Sequence, residues 1–89
     1  MSKSIMQEDK YCYITGRTTG LDKHHCFTGI RRKQAEEWGC WVWLSHDIHM
    51  ALHSTNPELA DQLRRECQAR FEEIHGHETY MRIFGKSYL

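Results

Sequence analysis

Several things are missing from this sequence, and each absence excludes something. There is no net charge, because 12 lysines and arginines balance 12 aspartates and glutamates. A global basic field announcing nucleic acid is thus excluded, and any such site must be a local patch. No two of the four cysteines (Cys12, Cys26, Cys40 and Cys67) stand two residues apart, so there is no CxxC pair. No stretch approaches the about 20 apolar residues of a membrane span. The opening MSKSIMQEDK holds no apolar run and does not read as a signal peptide. A cytoplasmic, reducing location with free thiols is the expectation, with no membrane contact. Repeats, linkers and low-complexity segments are missing too, and 89 residues suffice for one small domain only. Such a domain has a thin core and often needs a staple: a disulfide, a metal or a partner chain.

What is present begins with pattern. Residues 1–10 are polar and expected to be flexible, with a single domain over 11–89. The stretch YCYIT, from Tyr11 to Thr15, is aromatic and β-branched and suits a short strand. After the turn GRTTG, LDKHHCF returns as a second strand, so the two predict an irregular hairpin. TGIRRKQAEEWG reads as a loop leading into one or two helical turns stopped by Gly39. CWVWL is a strong strand signal, and Ser45 suits the N-cap of a helix through HDIHMALH. Asn56 is a second N-cap candidate, with Pro57 at the first helical position. Leu59, Leu63, Cys67, Phe71 and Ile74 then mark the core face of an amphipathic helix that Gly76 ends. ETYMRIFGKSYL adds a short last helix and an apolar tail. Trp38, Trp41 and Trp43 are expected in the core, the last two pointing the same way on their strand. Cys26 and Cys67 read as small buried hydrophobes. The expected class is α+β: a hairpin-and-helix core over 12–53 and a helical extension over 56–89.

Histidine is the compositional anomaly. There are seven, and five of them lie between positions 24 and 53. His49 and His53 are four apart on a predicted helix, so they share a face and can offer two nitrogens to one metal. Alone, an HxxxH pair is a weak signal, because exposed polar residues often fall at that spacing. The adjacent pair His24–His25 strengthens it. Neighbours on a strand face opposite ways. One of the two can complete a three-imidazole site, and the other stays free as a general base. His75 and His77 flank Gly76 and read as surface residues. His46 and Asp47 open the helix, where Asp47 favours the N-terminus.

The order of HH on a strand, a loop, a second strand and HxxxH on a helix resembles the HNH, or ββα-metal, endonucleases. The HH plus HxxxH arrangement is most similar to colicin-type nuclease domains. HHCFTGIRRKQAEEWGCWVWL and the terminal FGKSYL resemble small phage-encoded HNH proteins related to recombination-enhancement nucleases. The motif-bearing part runs from Cys12 to His53. The resemblance implies His25 as the general base, and His24, His49 and His53 as ligands of one divalent ion. Zinc, nickel, manganese and magnesium all come into question. It also implies DNA as the partner, with phage recombination or packaging proteins as further partners. The run Arg31, Arg32 and Lys33, close behind His25, would contact phosphates, with Arg17 and Lys23 adding to it.

Two positions depart from the family. Many HNH domains hold a structural zinc with a CxxC ahead of HH and a second pair at the helix start. The corresponding residues here are Cys12, Thr15, Ser45 and Ile48, so that zinc is not expected. The middle Asn of the family pattern falls on Cys40, a weak hydrogen-bonding residue. The expected function is metal-dependent phosphodiester hydrolysis. The alternative is a non-catalytic, metal-stabilised nucleic-acid-binding or phage recombination accessory module.

Overall fold

The strand at WVWLS organises the chain around it. In the computed structural model, which describes residues 3–89, strand β1 (Leu21–His25) pairs antiparallel with strand β2 (Trp41–Ser45). The register sets Leu21 opposite Ser45, His24 opposite Val42 and His25 opposite Trp41. The connection carries a 3-10 turn (Gly29–Arg31) and helix α1 (Arg32–Glu37). Helix α2 (His46–Leu52) leaves β2 with no intervening residue, followed by α3 (Glu58–His75) and α4 (His77–Phe84). The α+β class expected from sequence is the one observed. Among the described residues no helix is long and apolar enough to cross a membrane.

The hairpin partner differs from the expected one. Tyr11–Thr15 is a turn, not a strand. The Cys12 amide donates to the Arg17 carbonyl (2.7 Å), and the Cys12 carbonyl accepts from Gly16 (2.8 Å). Those groups close a local loop and are unavailable to a ladder. One backbone bond reaches across, from the Tyr13 amide to the Trp43 carbonyl at 2.8 Å. CWVWL offers β1 a longer apolar partner, and it wins.

Val42 and Leu44 are fully buried and enter the main core with Cys26, Phe27, Leu63 and Phe71. Trp41 and Trp43 share a face, as expected, and it is the one opposite Val42 and Leu44; Trp41 is buried there, whereas Trp43 is only half-buried. Their rings pack edge to face at 5.4 Å, with Lys23 over Trp41 and Lys10 over Trp43. Trp38 packs edge-on to Phe71 at 5.5 Å, against the core.

The face of α3 buries Leu59, Leu63, Cys67 and Phe71, whereas Ile74 is exposed. The stripe continues at a spacing of four to His75, whose ring meets Phe71 and Trp38. His75 and His77 are otherwise exposed. Tyr80 and Phe84 of α4 stack at 5.2 Å and complete an aromatic cluster with Phe27. Gln68, fully buried, receives the Tyr88 amide and donates to Ser87, pinning the tail.

The flexible stretch expected over 1–10 includes residues that are tied down, while Met1 and Ser2 lie outside the described residues. Ser4 donates to the Trp41 carbonyl, and the Gln7 side chain accepts from the Trp43 amide. The segment thereby covers the free edge of β2, which would otherwise invite another strand. Gly39 is the anchor of this docking. Its carbonyl accepts from Ile5 at 2.9 Å, its φ is +73°, and an added methyl would collide with the Lys3 carbonyl. Gly16 also has positive φ, +81°, but faces open space. Gly16→Ala should therefore cost about 1–2 kcal/mol through backbone strain alone. Gly39→Ala should cost clearly more, read as the shift in urea midpoint. Equal losses would show that the N-terminal segment does not seat on Gly39.

Candidate metal centre

Strand alternation sets the site. His24 lies across from Val42 on the face that α2 covers, and Asp22, two residues earlier, shares that face. The His46 amide donates to the Gly20 carbonyl at 3.0 Å, which fixes the start of α2 over β1. Ser45 occupies the N-cap position, as expected, but makes no capping hydrogen bond from its side chain. Its hydroxyl instead sits beside Asp47, whose carboxyl it holds below the usual range. With Leu52 buried and Ile48 packed on the core, His49 and His53 are left facing His24. His53 follows the last helical residue and keeps helical backbone angles.

The three imidazoles converge. One nitrogen from each of His24, His49 and His53 lies within 4.8 Å of the other two. Among the described residues no other group of three His, Cys, Asp or Glu side chains does this. His49 Nε2 and His53 Nε2 are 3.3 Å apart. Two nitrogens each about 2.0–2.1 Å from one tetrahedral ion would lie roughly 3.3–3.4 Å apart, so this pair already has the spacing of a ligated one. Nitrogen donors of this kind suit zinc, nickel and other late first-row ions.

The remaining ring nitrogens are organised by carboxylates. Asp22 Oδ2 accepts from His49 Nδ1 at 3.1 Å and from His46 Nδ1 at 2.8 Å. These bonds hold the Asp22 carboxyl below its usual range. With its proton committed at Nδ1, His49 presents a lone pair at Nε2, the tautomer a metal needs. His24 is only 5 % exposed. Burial first, then the neighbouring His49 and His53, push its pKa down from 6.5 to about 4. It is neutral at pH 7 and available as a ligand.

His25 points to the other face. Its ring lies 2.8 Å from Glu36 Oε1 through Nε2, and Arg32 Nε is 3.5 Å from its Nδ1. Yet the two faces meet at one open depression of about 180 Å³. His24, His49 and His53 line it together with His25 and Arg32. A larger depression of about 510 Å³, lined by Lys33 and Glu36, also includes His25 and Arg32. Arg31 is committed elsewhere, its guanidinium donating to the Ile83 carbonyl at 3.3 Å. Arg17 pairs with Asp47, and Lys23 with Glu36.

Of the positions that match the structural zinc of HNH domains, Cys12, Thr15 and Ser45 meet around a single thiol. Cys12 Sγ lies 3.5 Å from Ser45 Oγ and accepts from the Thr15 amide at 3.4 Å. Burial raises the Cys12 pKa, but the bonds from Thr15 and Ser45 outweigh it and bring the thiol down to about 6.

Asp22 and Glu36 escaped the sequence reading. Asp22 carried a usable signal, since two residues before a strand histidine means the same face. Glu36 carried none, because only the fold of α1 onto β1 brings it to His25.

Removing the carboxylate behind His49 should loosen the site. Asp22→Asn is expected to weaken zinc or nickel binding about 10–100-fold, measured by calorimetry. An unchanged affinity would leave Asp22 a partner of His46 alone. Metal-free protein should also lose stability in acid. The His24 pKa is about 4 folded against 6.5 ordinarily. Between these values the unfolded chain binds the extra proton, so stability holds above pH 6.5 and falls toward pH 4. Asp22, with its lowered pKa, acts in the same direction. Thermal melts of the metal-free protein at pH 7 and pH 4.5 test this, and equal midpoints would contradict it.

No family model, curated protein or solved structure matches the chain. The assignment of a metal-binding ββα module rests on the geometry itself: a two-stranded sheet, the helix that follows it, and three converging imidazoles held between them.

Proposed function

We propose that the protein is a metal-dependent DNA endonuclease of the HNH type, hydrolysing phosphodiester bonds. The observation that carries this reading is the division of labour between adjacent residues. His24 turns to the imidazole triad, His25 stays out of it, and both border one depression beside Arg32. A purely structural site has no use for a separate imidazole at its rim.

In this reading His24, His49 and His53 hold one divalent ion, whether zinc, nickel, manganese or magnesium. Bound there, the ion supplies Lewis acidity toward the scissile phosphate and its leaving oxygen. His25 takes a proton from the attacking water. Arg32 and Lys33 line the cleft and contact the phosphate oxygens. Arg31 holds the turn against α4 through the Ile83 carbonyl, and this supports a structural role in place of a phosphate contact. Four free thiols fit a reducing, cytoplasmic setting, and the family resemblance adds phage recombination or packaging proteins as partners.

A second reading, a non-catalytic nucleic-acid-binding module, is favoured by one observation. Cys40 takes the place of the family Asn. It is fully buried, with its sulfur 4.0 Å from the Trp38 carbonyl and beside the Cys67 thiol.

Nicking of supercoiled plasmid separates the two. With magnesium, manganese, nickel or zinc supplied, the wild type should nick. His25→Ala should keep the metal and lose about 10²–10⁴ in rate. His24→Ala, His49→Ala and His53→Ala should each lose both metal affinity and cleavage. A wild type that binds DNA but cuts with none of the metals gives the second reading.

A further inference from the structure

We propose that Glu36 is the positioning residue for His25, fixing its tautomer so that Nδ1 is the nitrogen facing the attacking water. This rests on the endonuclease reading. His25 Nε2 lies 2.8 Å from Glu36 Oε1, and the His25 side chain is 10 % exposed. An ionised carboxylate only accepts, so the proton of the neutral ring sits on Nε2. The lone pair is then on Nδ1. His25 borders the depression shared with the imidazole triad, as does Arg32, whose Nε is a donor 3.5 Å from Nδ1.

Glu36 is itself held. Lys23 Nζ lies 3.2 Å and 3.4 Å from its two oxygens, and the same ammonium sits 4.2 Å above the Trp41 ring. The carboxylate is therefore fixed between α1 and the outer face of β1. Arg32 and Glu36 are four apart on α1, so one helical face carries both the phosphate cation and the carboxylate. Arg32 is exposed and its contact with Nδ1 is long, so a phosphate in the depression can draw the guanidinium away and open Nδ1 to water. In the reaction the water's proton moves to His25 Nδ1 as its oxygen bonds to phosphorus. The bond from phosphorus to the leaving oxygen breaks, and that oxygen takes a proton from solvent. The imidazolium formed lies against Glu36, which stabilises its charge. The job that the family gives to an Asn, holding the catalytic segment in place, is here supplied by α1.

The test uses the full chain and two readouts. Long-range nitrogen–proton NMR of the metal-free protein should show His25 as the Nε2–H tautomer in the wild type. In Glu36→Gln, whose amide can donate or accept, the tautomers should mix. With metal and plasmid, Glu36→Gln should lower kcat by about 10²-fold. KM should stay within about twofold, because no substrate contact is removed. Zinc affinity should be unchanged, and Glu36→Asp should recover part of the rate. Wild-type kcat in a folded Glu36→Gln, or an Nδ1–H tautomer in the wild type, would overturn the assignment while leaving the nuclease reading intact. A wild type that cuts with no metal removes the nuclease reading and this inference together.

Discussion

Everything at the site depends on the register between β1 and β2. Side chains alternate along a strand with a period of two, so a slip of one residue would exchange the two faces completely. In the observed register His24 and Asp22 meet α2, while Lys23 and His25 meet α1. Slipped by one, the triad would lose its buried member and the core would receive a lysine. If β2 slipped instead, Val42 and Leu44, both fully buried, would have to surface. The hydrophobic demands of a thin core and the geometric demands of the imidazoles select the same pairing.

That arrangement carries a cost which the surroundings offset. Burial first, and then the nearness of His49 and His53, disfavour a positive charge on His24 and lower its pKa. The same pressure keeps the ring neutral, which is the state a metal requires. Asp22 relieves part of the crowding by orienting His49 and His46 at once. The site is thus organised by protein groups before any ion arrives, and the spacing of His49 and His53 reflects it.

The sequence was legible where one local rule decided the outcome. The spacing of His49 and His53, the opposed directions of His24 and His25, and the buried stripe from Leu59 to Phe71 each follow from a single period, and each is found. It was less legible where segments compete. Tyr11–Thr15 has strand composition, but Gly16 lets it close on itself, and β1 pairs with the more apolar β2. Period alone says that Trp41 and Trp43 share a face. Which face enters the main core is settled by tertiary packing: Val42 and Leu44 join the cluster that includes Leu63 and Phe71, while the two indoles pack on each other beneath Lys23 and Lys10. Residues 4–7 lie in an N-terminal stretch that is polar as a whole, and their hydrogen bonds only exist once β2 presents a free edge. Glu36 was invisible for the same reason: its partner is eleven residues away and is brought near only by the turn between them.

That turn joins the site to the rest of the molecule. Cys26 and Phe27 follow His25 directly and enter the core, where Phe27 lies 4.5 Å from Phe84 and 5.9 Å from Tyr80. Arg31 then reaches the Ile83 carbonyl, and it also packs close to Gly85 at the end of α4. The chain between β1 and α1 is consequently clamped at both ends by the C-terminal helices. α1 begins at the next residue and carries Arg32 and Glu36. The helical extension therefore does more than enlarge a thin core. By fixing where α1 starts, it fixes how a carboxylate meets the imidazole on the far side of β1, while α2 alone governs the triad on the near side. Two adjacent histidines on one strand thus answer to two different halves of the fold.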